Sequence, residues 1–394
     1  MVIVKSRCQF FYLEVRRKII FEVEHMTKKQ VMIAINSLDM GGIQRSLLAF
    51  MDHIKEYAEI DLLVWYHNVE NPIQLPDYVN LIEIPTVCSP SSAIKECGII
   101  SQQFLLSCFA RYTKNPWKMT PRLKKEYDIA IAYSQVSYAK YYVIDNVCAK
   151  RKYAFFHNGE YTFGDATRRR DYEYYYKYDA VCAVSKVVER LLHKTFGEEL
   201  KVITVPNAIL EDEILKLGEE KCIDDDIGCK LLCVSRFSVE KNILLLLEVC
   251  KELTLRKFSY QLYLVGAGEQ YQEIVNRIDA LGIQRNIKLI GYTANPYKYM
   301  KNCDIYIQLS NYEAEPITVK EVALFGKPMI LTNIEGFSLY KNLIQGITLC
   351  EKNVDEIASS IENVYYDLNS NYSSVKLNND AYKKIDSLII GNEK

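Results

Sequence analysis

Short apolar runs rich in β-forming residues alternate with helical patterns through most of this chain, and the alternation occurs twice. The first series of strand candidates is Val31–Asn36, Ile60–Tyr66, Leu81–Pro85, Asp128–Tyr133, Tyr153–Phe156, Ala180–Val184 and Lys201–Val205. Between the first two runs, Ile43, Leu47, Leu48, Met51 and Ile54 recur at helical spacing. The second series is Leu231–Ser235, Gln261–Val265, Ile287–Ile290, Asp304–Gln308, Pro328–Thr332 and Gly346–Leu349. Strands that are apolar throughout are buried on both faces, which implies parallel sheets sandwiched by helices. Pro206 and Asn207, followed by the acidic stretch Glu211–Asp226, separate the two series and read as a linker region. The expectation is an α/β chain of two doubly wound lobes.

A chain of 394 residues has room for two or three such domains. Lys and Arg number 49 against 50 Asp and Glu, so there is no basic excess to support a nucleic-acid partner. The 12 cysteines lie singly without a C-x-x-C pair, and the five histidines include no His-x-x-x-His pair. That spacing offers neither a zinc site nor a redox motif, and fits buried thiols in a reducing cytoplasm. No apolar run reaches the roughly 18–20 residues of a membrane span. Met1–His25 mixes charges with short apolar stretches, unlike a signal peptide, and Met26 opens a segment that reads as a natural start.

Ser101–Lys125 breaks the alternation. It holds Arg111, Lys114, Lys118, Arg122, Lys124 and Lys125 with no acid, and Phe104, Leu105, Cys108, Phe109 and Tyr112 share one helical face. It reads as a candidate element for docking on an anionic membrane surface, with a packed helix bearing a solvated basic face as the alternative.

Three segments fall where the chain leaves a strand, the edge at which open α/β sheets bind ligands. The first is Gly41 and Gly42, where paired glycines permit close backbone approach. The second is Val234–Asn242, in which Arg236 and Lys241 would suit a diphosphate, with a solvated pair of loop cations as the alternative. The third is Ser310–Pro328, in which seven residues separate Glu313 from Glu321. With Pro316 at the first helical position, the backbone N–H groups of Ile317 and Thr318 would face out of a helix start that favours phosphate. Carboxylates on either side accept hydrogen bonds from sugar hydroxyls, although solvated acids near a helix start are equally consistent with the pattern. His157 follows the strand Tyr153–Phe156, at the edge that faces any interlobe cleft, although a lone histidine is more often structural or surface than catalytic. Neither the Gly41 loop nor Gly266–Gly268 is a G-x-G-x-x-G fingerprint, which argues against a nicotinamide enzyme.

In this order, the segments resemble the retaining family-4 glycosyltransferases of GT-B architecture, of the kind that builds bacterial capsules and exopolysaccharides. The resemblance runs from about Met26 through the Gly41–Gly42 loop, VCAVSK at Val181–Lys186, VPNAI at Val205–Ile209, SRFSVEKN, LVGAGEQ at Leu264–Gln270, Gly291–Tyr292, the Glu313/Glu321 pair and GKP at Gly326–Pro328. It implies that Arg236 and Lys241 hold the donor diphosphate, that Glu321 holds the nucleotide ribose, and that Glu313 and His157 face the transferred sugar. Gly41 and Gly42 lie by the donor phosphate, and Ile317 and Thr318 complete the donor site. The catalytic set is then His157, Glu313, Arg236 and Lys241, with no metal or other cofactor.

The resemblance further implies a nucleotide-diphosphate sugar as donor and a saccharide acceptor of the polyprenyl-diphosphate-linked kind. Localisation is expected to be cytoplasmic, peripheral on the inner membrane face. Such transfer stabilises charge growing on a leaving diphosphate and needs no enzymic nucleophile, unlike a glycosidase carboxylate pair. The expected organisation is an extension over 1–25, an acceptor lobe over 26–206, a donor lobe over 207–370 and a terminal helix over 371–394 that returns to the first lobe. Two departures stand out. Ala314, Glu315 and Pro316 replace the family's usual Gly-Phe-Pro, which puts an added carboxylate beside the sugar site or in solvent, and Ala208 replaces a glycine. A catalytically inactive GT-B partner that scaffolds another transferase is the alternative reading.

Overall fold

The computed structural model describes residues 28–39, 41–66, 73–83, 115–136, 138–220, 228–367 and 372–391. Seven strands form the first sheet: β1 (Lys29–Ser37), β2 (Ala58–Tyr66), β3 (Val79–Glu83), β4 (Glu126–Ala132), β5 (Cys148–Phe156), β6 (Ala180–Ala183) and β7 (Val202–Thr204). Their order is β3-β2-β1-β4-β5-β6-β7, and each pairing is parallel. Six strands form the second: β8 (Cys229–Val234), β9 (Tyr260–Val265), β10 (Ile287–Gly291), β11 (Ile305–Gln308), β12 (Met329–Thr332) and β13 (Ile347–Cys350). These run in the order β10-β9-β8-β11-β12-β13, again all parallel. Both sheets reverse direction of growth beside their first strand, so each has a switch point, at β1/β4 and at β8/β11.

The second sheet shows why its strands read as unbroken apolar runs. Leu231, Cys233, Leu262, Leu264, Ile305 and Ile307 pack into the core on one face. The residues between them, Leu232, Tyr263 and Tyr306, pack into a second core on the other face. The period of two is present, but both phases are buried.

The acidic stretch beginning at Glu211 is not a linker over its first half. Glu211–Leu217 is a helix, and its Ile214 is buried in the second lobe's core beside Val319 and Phe337. Its acids fill the helix's first turn, where negative charge is stabilised. The remainder, residues 221–227, lies outside the described residues. The extension over 1–25 and positions 101–114 of the basic segment do as well. Within the part of that segment that is described, Trp117 is fully buried and donates to Asp145 at 2.8 Å, so this aromatic is a packing residue and does not face a membrane. Among the described residues, no helix is long and apolar enough to cross a membrane.

The terminal helix Asn378–Ile389 packs on the first lobe. Ala381, Ile385 and Leu388 join that lobe's core, and Asp386 accepts from the Tyr57 hydroxyl at 2.6 Å while pairing with His53 at 2.7 Å. The tyrosine-rich helix Asp165–Tyr175 also belongs to this lobe, with Tyr174 and Tyr175 buried.

Candidate active site

The two switch points face each other across a cleft. Gly41, in extended conformation, caps the helix Gly42–Ile54 that follows β1. A side chain at Gly42 would come within 3.5 Å of Ile317 Cδ1, so the glycine loop of one lobe meets the helix start Ile317–Ala323 of the other. Pro316 sits one position earlier than the sequence pattern suggests, as the cap of that helix rather than its first residue. A second glycine contact was not visible in the sequence pattern. A Cβ on Gly159, two residues past His157, would lie 3.1 Å from the Glu313 carbonyl carbon. Ser185 reinforces this seam by donating to the Ala314 carbonyl at 2.7 Å.

Arg236 and Lys241 occupy the loop after β8. That loop is held by its neighbours: Phe237 N–H donates to the Ala267 carbonyl at 2.9 Å, and Asn311 N–H donates to the Glu240 carbonyl at 2.7 Å. Gly266 and Gly268 leave room for this packing, and Gly266 takes φ of +146°. They therefore serve loop packing rather than a dinucleotide. Asn242 closes the turn in the left-handed region at φ 51°, which asparagine tolerates better than most side chains. Lys241 Nζ donates to Glu313 Oε1 at 2.6 Å. Arg236 is exposed and has no ion pair among the described residues, so the structure brings only one of the two cations onto a carboxylate.

Glu313 collects three donors on one oxygen. Besides Lys241, Gln308 Nε2 and Ser310 Oγ reach Oε1 at 2.6 and 2.7 Å. Thr318 Oγ1 donates to Gln308 Oε1 at 2.9 Å, so the glutamine bridges the helix start to the glutamate. Gln308 was missed in the sequence, although a polar residue closing an otherwise apolar buried strand is a readable signal. Gly336 also went unnoted; a Cβ there would meet the backbone and Cβ of Glu313.

Glu321, one helical turn on, is 1% exposed. Its Oε1 accepts from Tyr297 OH at 3.2 Å and from Arg45 Nη1 at 3.3 Å, while Oε2 is buried with no partner. Arg45 comes from the first lobe, three residues past Gly42, and stands 5.3 Å from the Tyr297 ring centroid. Burial is the largest influence and works against the Arg45 charge, but Glu321 together with the neighbouring Tyr297 and Tyr292 holds the guanidinium pKa above its ordinary value.

His157 Nε2 donates to the Tyr133 carbonyl at 2.9 Å, which fixes Nε2 as the protonated nitrogen. Its backbone N–H donates to Gln135 Oε1 at 3.1 Å. Nδ1 is buried without a hydrogen-bond partner. Burial pushes the imidazole pKa down to about 4, against weaker opposing pulls from the Tyr133 carbonyl and the Asn207 side chain. The ring is thus neutral at pH 7 and aimed at protein groups.

Glu315 does not point into solvent. It is buried in an ion pair with Lys320 and accepts from the Asn207 N–H at 2.6 Å. Lys320 in turn donates to the Asn207 carbonyl at 2.7 Å. The Asn207 side chain accepts from Ser46 at 2.8 Å on the first-lobe side. The two charges therefore clasp the backbone where the chain crosses between lobes. Burial of both charges makes each the natural partner of the other.

Two parallel, doubly wound lobes joined at such a crossing, with cations and carboxylates at the facing switch points, define the GT-B class of fold. The crystal structure of Anabaena HepE with UDP and glucose superimposes with a TM-score of 0.64 at 15% identity, covering 91% of this chain and 95% of that one. Residues 228–384, most of the second lobe, match the family model "Glycosyl transferases group 1". An uncharacterised glycosyltransferase of Methanocaldococcus jannaschii is 26% identical over 170 residues, 41% of this chain and 42% of that protein. An Escherichia coli protein named UDP-Gal:alpha-D-GlcNAc-diphosphoundecaprenol alpha-1,3-galactosyltransferase is 22% identical over 351 residues, 82% of this chain and 85% of its own. The matches to the Methanocaldococcus relative and to a Haemophilus influenzae glycosyltransferase span only about half of those proteins, 42% and 53%.

Proposed function

We propose that this protein is a retaining glycosyltransferase. It moves a sugar from a nucleotide-diphosphate donor to a polyprenyl-diphosphate-linked saccharide in cell-surface polysaccharide synthesis. The observation that carries the reading is the placement of Lys241, Glu313 and the Ile317 helix start opposite Gly42. A diphosphate seated there meets Lys241, the exposed Arg236 and outward backbone N–H groups, all of which favour the charge that grows as the bond to C1 breaks. Glu321 Oε2 is an open acceptor for a ribose hydroxyl.

In this reading the acceptor hydroxyl attacks C1 from the leaving-group face, the C1–O bond to the diphosphate breaks, and the departing phosphate oxygen takes the hydroxyl proton. His157, neutral and bonded to a carbonyl, supports that route because it is a poor general base. Glu313, with three donors on one oxygen, holds the sugar or Lys241 rather than acting as a nucleophile. The lipid-linked acceptor is supported by the printed substrate of the E. coli relative, and the sugar-nucleotide donor by the ligands of HepE. No resident metal or other cofactor enters the proposal. The protein would work on the inner membrane face, touching lipid through the basic segment 101–125.

The test is product analysis. The protein is incubated with UDP-, GDP- and ADP-sugars and a polyprenyl-diphosphate N-acetylhexosamine, and the anomeric coupling of the product is read by NMR. Transfer with the donor's own anomeric configuration supports the proposal. Inverted product, or none from any donor by folded protein, overturns it.

A further inference from the structure

Glu321 and Arg45 lie 276 residues apart in sequence and on opposite lobes. Glu321 is buried, and of its two oxygens one is shared by Arg45 and Tyr297 while the other has no partner. A buried carboxylate oxygen left unpaired is costly, so the arrangement is complete only when a ligand donor fills it. Arg45 spends one N–H on Glu321 and rests on the Tyr297 ring. A guanidinium has five donors in a fixed fork, and being permanently charged it holds a carboxylate's orientation well.

We propose that Arg45 is a positioning residue which, delivered by the first lobe, fixes Glu321 to read the ribose of the donor nucleotide, so that ribose recognition and lobe closure are one event. The inference rests on the nucleotide-binding reading above. In an open cleft Glu321 keeps only Tyr297 and is free to turn. Closure brings Arg45 onto Oε1 and leaves Oε2 as the sole acceptor for a ribose hydroxyl. By linkage, a nucleotide that engages Oε2 favours the closed state, and one that lacks ribose hydroxyls does so less.

Calorimetry with UDP, GDP and ADP, and with their 2′,3′-dideoxy counterparts, tests this on the full chain. Wild type is expected to prefer the ribonucleotide of its chosen base. Arg45→Gln is expected to reduce that preference about tenfold, within the usual span of coupling between sites. Its affinity for the dideoxy form should be unchanged and its melting temperature close to wild type. Arg45→Lys, which keeps the charge but not the fork, should restore part of the preference and stands in if Arg45→Gln fails to fold. Equal loss of both nucleotides in Arg45→Gln would make Arg45 a general diphosphate cation and overturn the inference, as would an unchanged preference. Failure of wild type to bind any of the six overturns the nucleotide reading itself, which is a distinguishable result.

Discussion

Lys241 and Glu313 meet at 2.6 Å across two loops that leave adjacent strands, β8 and β11. The pair is not a surface ion pair of small worth, because Glu313 is almost fully buried and Gln308 and Ser310 fix the same oxygen. Glu313 thus holds the lysine through one carboxylate oxygen, and in the proposed function the lysine turns to the donor diphosphate. Lys241→Ala is expected to lower turnover by about 10²–10³-fold, the usual cost of one charge-stabilising donor. Steady-state assays with the preferred sugar nucleotide check this.

Gly159 brings the first lobe against the backbone of Glu313 and Ala314, at 3.1 to 3.2 Å from a notional Cβ. Gly159→Val is expected to hold the lobes apart. Nucleotide affinity, set mainly in the second lobe, should change little, while turnover falls tenfold or more because reacting groups are misplaced by a fraction of an ångström. Comparing calorimetric Kd with kcat separates the two effects.

His157 gives a pH signature of stability. Its pKa is depressed in the folded chain, from 6.5 to about 4, so the unfolded chain binds the extra proton between those values. Stability is therefore full above about pH 6.5 and declines as the pH falls toward 4, by at most about 3 kcal/mol at 1.36 kcal/mol per unit. Urea denaturation across pH 4–7 should show this loss in wild type and a smaller one in His157→Gln. Turnover should show no inflection from this group between pH 6 and 8.

The Glu315–Lys320 clasp on Asn207 predicts a large asymmetry. Lys320→Met strands a buried carboxylate and is expected to cost about 3–5 kcal/mol. The double variant Glu315→Gln, Lys320→Met should cost clearly less than the sum of the two single changes, because no charge is left unpaired. Chemical denaturation of the three variants measures it.

The strands were legible because their signal is local. Thirteen apolar runs overlap β1–β13, since burial on both faces makes the inner strands apolar almost throughout, while edge strands such as β3 and β7 are only partly buried. Lys241 and Glu313 stood out for a related reason, since both lie in loops at strand ends, where such sheets carry ligand-binding residues; the roles given to them and to Glu321 come from the family resemblance. Arg45, Gly159 and the partners of Glu315 were not. Arg45, Gly159 and Asn207 each lie more than 100 residues from what they touch on the second lobe, and no helical or strand period records such a contact; Lys320 is near Glu315 in sequence, but its pairing follows from the fold. Glu315 shows the limit most plainly. A carboxylate in a motif of carboxylates looks like part of the site, and only the position of Asn207 and Lys320 reveals that it holds the lobes together.

The most direct test of the account is calorimetric titration of the purified chain with UDP, GDP, ADP and CMP, with Lys241→Ala beside it. One nucleoside diphosphate should bind tightly to wild type and lose most of its affinity in the variant, while CMP, which lacks the second phosphate that Lys241 and Arg236 are placed to meet, binds weakly to both. A folded wild type that binds none of them, or that binds one equally well without Lys241, would contradict the donor site described between Gly42, Lys241 and Glu321.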